Sequence, residues 1–109
     1  MLSIAKEPTF TRTVKALVPT DSGHEEQSFK ATFRVKDTET LNGFQLADPA
    51  QHKALVRTIV VKLDDLGDAT GAQVDFSEEV FEAVLALPWA LAAMTRTYFR
   101  ELSKAPEGN

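Results

Sequence analysis

Residues 28–36, SFKATFRVK, alternate without a break: Phe29, Ala31, Phe33 and Val35 are apolar, and Lys30, Thr32, Arg34 and Lys36 are polar. Successive side chains of a strand point to opposite faces, so this period makes a ribbon with one greasy side and one basic side. The segment before it, FTRTVKALV at residues 10–18, places Phe10, Val14, Ala16 and Val18 at even spacing, with Arg12 on the apolar side and Leu17 on the polar side. PTDSGHEEQ at 19–27 reads as a polar loop, because Pro19 fixes φ and Gly23 permits a positive one. Two such strands pair most simply as an antiparallel hairpin. An isolated hairpin is marginal in water, so its apolar face demands a cover.

The remaining residues supply that cover as helices. Thr38 to Leu46 reads as a short helical turn weakened by Gly43. Asp48 is a good N-cap and Pro49 suits the first helical position. Leu55, Ile59, Leu63 and Leu66 then recur at four- and three-residue steps, which predicts an amphipathic helix over 49–66, against a competing strand signal in Ile59-Val60-Val61. GDATGAQ at 67–73 reads as a turn, and Val74-Asp75-Phe76 as extended. Ser77 caps a further helix, with Glu78 and Glu79 in its first turn and a buried stripe of Val80, Phe81, Val84 and Leu85. Pro88 ends that helix and starts the last one, where Leu91, Met94, Tyr98 and Leu102 form a stripe that Trp89, Ala92, Ala93 and Phe99 broaden. The expected fold class is α+β: an N-terminal antiparallel β-hairpin packed against about three C-terminal α-helices. A chain of 109 residues makes a single domain, 1–109, with residues 1–9 and 104–109 expected to be flexible.

Function classes narrow by composition. Cysteine is absent, which removes disulfides, thiolate metal sites and cysteine catalysis within the chain. The formal net charge of −4 disfavours the basic footprint that nucleic-acid binding needs. No apolar run approaches the roughly 20 residues that span a bilayer. The opening MLSIAKEPTF lacks the pattern of a signal peptide. The expectation is a small, soluble, acidic intracellular domain that binds neither nucleic acid nor membrane.

No constellation of an enzyme stands out. His24 and His52 read as surface histidines. Asp64, Asp65 and Asp68 near Gly71 lack the ligand spacing of a calcium loop and read as a helix end and turn. Glu78, Glu79 and Glu82 suit the electrostatics of a helix start. The serines at 22, 28, 77 and 103 have no nucleophile-elbow glycines, and no phosphate-cradling glycine loop is present. The basic strand face of Lys30, Arg34 and Lys36 reads first as a solvated face, and otherwise as a surface for an acidic partner. The expectation is therefore no enzyme, no cofactor and no metal. Trp89, Tyr98 and Phe99 crowd the last helix of a small domain, and tryptophan and tyrosine are enriched at interface hot spots. Trp89, Met94, Tyr98, Phe99 and Leu102 are the candidate partner-binding residues.

From Lys30 onward the order of segments resembles one family. FKATFRVK is followed by the block LVRTIVVKLDDL, the turn DATGAQVDFSEE, the pair FEAVLALPWALAAMTRTYFREL, and an end at Gly108-Asn109. This resembles the small tail assembly chaperones of long-tailed bacteriophages and related prophages. Val61-Lys62 departs from the glycine and tryptophan such proteins often carry before the acidic turn. The resemblance implies a non-enzymatic protein of the host bacterial cytoplasm, absent from the finished virion. Such a protein coats the tape measure protein and keeps it soluble until tail tube subunits polymerise around it. Its implied partners are the tape measure protein, the tail tube protein and further copies of itself as a homo-oligomer. The rival expectation is a structural tail component, such as a tube or completion subunit, although two strands are few for that class. A small prophage enzyme or nucleic-acid regulator is the third class, disfavoured by the missing site and the negative charge.

Overall fold

The computed structural model describes residues 1–104. The tail expected to fray, APEGN, lies outside them. The elements run β1 (Thr9–Thr20), β2 (Gly23–Arg34), α1 (Thr38–Asn42), α2 (Pro49–Ile59), β3 (Val60–Asp64), β4 (Leu66–Gly67), β5 (Gln73–Val74), α3 (Glu78–Leu85) and α4 (Pro88–Leu102). The class is α+β, with an N-terminal sheet and helices after it.

β1 and β2 pair along their whole length, from Thr9↔Arg34 to Thr20↔Gly23. The polar loop expected over 19–27 is therefore strand almost throughout. Only Asp21 and Ser22 turn the chain, and Gly23 follows at φ +142°, a conformation L side chains rarely adopt. The reason it looked like a loop is physical. From Leu17 to Ser28 every residue is exposed except the half-buried Val18, so this half of the hairpin projects beyond the helices and has no core face to pattern it. Pro19 fits because β1 is an edge strand, where a missing N–H is tolerated.

A helix over the whole of 49–66 is not what forms. Asp48 does cap α2, accepting from the Ala50 N–H at 3.0 Å, and Pro49 opens it. The helix stops at Ile59, and Val60 passes straight into β3, which adds a third strand to the sheet in the order β1-β2-β3. The β-branched run wins because of a bulge. Thr32 pairs Lys62 and Phe33 pairs Val60, which leaves Val61 as the extra residue. Val60 and Leu63 are then both buried although three residues apart, while Val61 and Lys62 are exposed. Such a spacing imitates a helix.

The sheet's inner face carries Val14, Ala16, Phe29, Ala31, Phe33, Val60 and Leu63 into one core with the buried faces of α2, α3 and α4. Leu55, Val56 and Ile59 come from α2, Leu85 from α3, and Ala90, Ala93, Met94 and Tyr98 from α4. Ser77 caps α3 by accepting from the Val80 N–H at 3.1 Å, as its position predicts. Of the stripe expected on α3 only Leu85 is fully buried. Val80, Phe81 and Val84 are half-buried. Pro88 opens α4 one residue after Leu87, and α3 and α4 bend by 95°. Among the described residues no single helix is long and apolar enough to cross a membrane.

Two polar ties fix the helices. Arg57 donates through Nε to Glu82 Oε2 at 2.8 Å and through a terminal nitrogen to Oε1 at 2.7 Å, joining α2 to α3. His52 Nε2 lies 2.7 Å from Thr95 Oγ1, which itself donates to the Leu91 carbonyl. With its one proton so used, the Thr95 hydroxyl accepts from His52, which sets the Nε2–H tautomer and joins α2 to α4. His52, expected on a solvent face, is instead half-buried between helices.

Candidate functional site

The five residues singled out on the last helix separate into two groups. Met94 and Tyr98 are completely buried. They belong to the core, and neither offers surface to a partner, which corrects their assignment as binding residues. Trp89 and Phe99 are half-buried and pack against that core, and Leu102 is exposed.

Tyr98 sits at the C-terminal end of α4 in an aromatic cluster. Its ring stacks on Phe10 at 6.0 Å and lies 5.4 Å from Phe33, with Phe99 edge-on at 5.3 Å. Its hydroxyl donates to the Arg34 carbonyl and accepts from the Lys36 N–H, both at 3.1 Å. Burial pushes this hydroxyl above the ordinary tyrosine pKa, against the opposing pull of the Lys36 N–H and charge. Arg12, the cation on the apolar side of β1, reaches over the rim of this cluster. Its guanidinium stands 5.1 Å from the Phe10 ring centre and 3.5 Å from Glu101 of α4.

The N-terminal end of α4 is different. Here Trp89 and Ala90, with Leu87 just before them, form one wall of an open groove of about 410 Å³. Val80, Ala83 and Val84 of α3 continue that wall. Ala16 of β1 and Phe29 of β2 make the floor, and the small β4–β5 hairpin supplies Leu66 and Val74 on the far side. The lining is almost wholly apolar side chain, with Gln27, Ser28 and Asp65 as its polar members. Leu87 remains 38% exposed and Val80 is absent from the packed core, so this apolar surface faces the groove. The sequence offered Trp89 as a signal. The other walls come from five separate segments, and no spacing rule joins them.

Two devices hold the β4–β5 wall over the groove. Asp65 takes φ +60°, a left-handed conformation that aspartate tolerates better than most residues, and so turns the chain sharply from β3 into β4. Asp68 then closes the hairpin. Its Oδ1 accepts from the Thr70 hydroxyl at 2.6 Å, the Thr70 N–H at 2.8 Å and the Ala72 N–H at 3.0 Å. Those bonds, the Thr70 hydroxyl foremost, hold the Asp68 carboxyl below its usual pKa. Of the three aspartates that superficially suggest a calcium loop, Asp65 and Asp68 therefore build turns and Asp64 ends β3, and no metal-ligating group of three occurs among the described residues.

The basic strand face is internally engaged. Arg34 donates to the Thr58 carbonyl at 3.0 Å, near the C-terminus of α2. Lys36 pairs Glu7, and Lys30 lies 3.9 Å from Asp65. Each of the three cations thus has a contact within the chain. No family model, curated protein or solved structure matches the chain.

Proposed function

We propose that the chain is a binding protein of phage tail assembly: a chaperone that holds apolar helical segments of the tape measure protein until tail tube subunits polymerise around it. The observation that carries this reading is the groove at the start of α4. An apolar cleft, open on one side and walled by two helices and a hairpin, suits one face of a partner helix. Coating a long partner calls for many weakly bound copies that also touch each other, and copies in a row gain avidity without deep individual pockets. Leu102 at the end of α4 and Leu17 on the projecting hairpin, 39% and 54% exposed, are among the apolar residues outside the groove available for contact between copies.

The test is co-expression with the tape measure protein of the same gene cluster. Wild type is expected to keep that protein in the soluble fraction and to copurify with it. Val80→Gln/Leu87→Gln, which replaces groove lining without touching the buried core, is expected to lose both properties while remaining folded. Equal solubility with and without the chain would overturn the reading.

One observation favours the rival. A third strand and a long projecting hairpin make the chain more β-rich than two strands alone, as a structural tail subunit would be. Mass spectrometry of purified virions decides between them: a structural subunit stays in the particle, and a chaperone is absent.

A further inference from the structure

The chain's modest net charge of −4 conceals an uneven distribution. Between residues 63 and 95 there are seven acidic residues and not one lysine or arginine. This stretch is the one that folds into β4, β5, α3 and the first half of α4, the elements that wall the groove. Asp65 lines it directly. Glu79 stands one helical turn before the lining residue Ala83, on the same side of α3. Glu25 lies two residues before Gln27 on β2, hence on the same face of the sheet at the groove's end. Among the described residues Glu25 and Glu79 have no ion-pair partner, and no lysine or arginine lines the groove. Lys30, 3.9 Å from Asp65, stands on the opposite face of the sheet, and Arg57 beside the groove wall is already paired with Glu82.

We propose that the groove selects by charge: its occupant is an amphipathic helix whose apolar stripe is flanked by lysines or arginines. The apolar floor supplies affinity for any greasy helix, and the acidic rim rejects those with acidic flanks. The inference rests on the chaperone reading and narrows it. It assigns the basic amphipathic segments of the partner, rather than all its apolar segments, to this site.

Trp89 is the chain's sole tryptophan and lies in the groove wall, so its emission reports occupancy. The probes are two tryptophan-free, stapled helical peptides with the same leucine stripe, one flanked by lysines and one by glutamates. The lysine peptide is expected to shift Trp89 emission saturably and to bind about tenfold tighter at low salt, the sum of a few exposed pairs. That advantage should shrink severalfold at 0.5 M NaCl, where the Debye length falls to about 4 Å, close to the separation of a contact pair. Glu25→Gln/Glu79→Gln should reduce the preference, and Glu25→Lys/Glu79→Lys should reverse it. Equal binding of both peptides, binding indifferent to the rim substitutions, or no change in Trp89 emission would overturn the proposal. So would a concentration-dependent dimer that excludes both peptides, because a second copy would then be the occupant. If the preference is absent but the tape measure protein is still held soluble, only the charge inference fails. If the preference is present and solubility is unaffected, the groove's selectivity stands and the chaperone reading falls.

Discussion

The two ends of α4 carry the same kind of residue and do opposite things. At the C-terminal end Tyr98 is fully enclosed by Phe10, Phe33 and Phe99, and both hydrogen-bonding roles of its hydroxyl are filled from the backbone. At the N-terminal end Trp89 packs on the core with one side and walls an open groove with the other. Aromatic content does not separate a core from an interface. What separates them is whether the sheet opposite is paired and covered. Under Tyr98 the hairpin is backed by the whole domain, whereas under Trp89 the helices stop and the hairpin runs on alone.

Tyr98→Ala breaks this contrast most severely. Removing a buried ring is expected to lower unfolding free energy by about 3–5 kcal/mol in urea titrations, close to the whole stability of a small domain. Tyr98→Phe keeps the ring and strands the Arg34 carbonyl and the Lys36 N–H, for a loss of about 1–2 kcal/mol. Both should leave peptide binding at the groove intact in whatever fraction stays folded. Next comes Asp65. Asp65→Val forces a β-branched residue to φ +60° and should cost about 1–2 kcal/mol, while Asp65→Gly at the same place should be neutral or slightly stabilising. At the open end the signs invert: Trp89→Ala should weaken peptide binding more than tenfold by calorimetry, with a smaller loss of stability than Tyr98→Ala.

The smallest effect is on pH. The folded pKa of Tyr98 is raised, so its contribution is complete below the unfolded value and is lost as pH climbs through the folded one. Wild type should therefore lose stability above about pH 10, and Tyr98→Phe should lose less over that range. Asp68 and Glu82 shift the other way, lowered by the Thr70 hydroxyl and by Arg57. What they contribute is present above the unfolded carboxylate value and fades as pH falls below about 4. Thermal melts from pH 2 to 11 check both limbs.

Where a rule is local, the sequence was readable. Asp48 with Pro49 and Ser77 with Glu78 mark helix starts within one turn, and the alternation of 28–36 needs no knowledge of the partner strand. β3 was hidden because its bulge broke the two-residue period, so that Val60 and Leu63 fell into step with Leu55 and Ile59. The outer half of the hairpin was hidden because nothing packs on it, and an uncovered strand carries no hydrophobic signal. The fate of Tyr98 and Met94 depended on which end of α4 meets the covered sheet, a tertiary fact. Of the candidate site, Trp89 alone was legible, and its neighbours in the groove come from segments scattered between residues 16 and 90.

The pairing of α4 with β1 also sets a timetable for the nascent polypeptide. α4 leaves the ribosome after every strand of the sheet it shields, so Arg12 waits for Glu101 and Phe10 for Tyr98. Until synthesis reaches that helix, Val14, Phe29 and Phe33 lack the part of their cover that Met94 and Tyr98 supply. Closure of this core thereby depends on α4 meeting β1 across the length of the domain, a contact of high sequence separation.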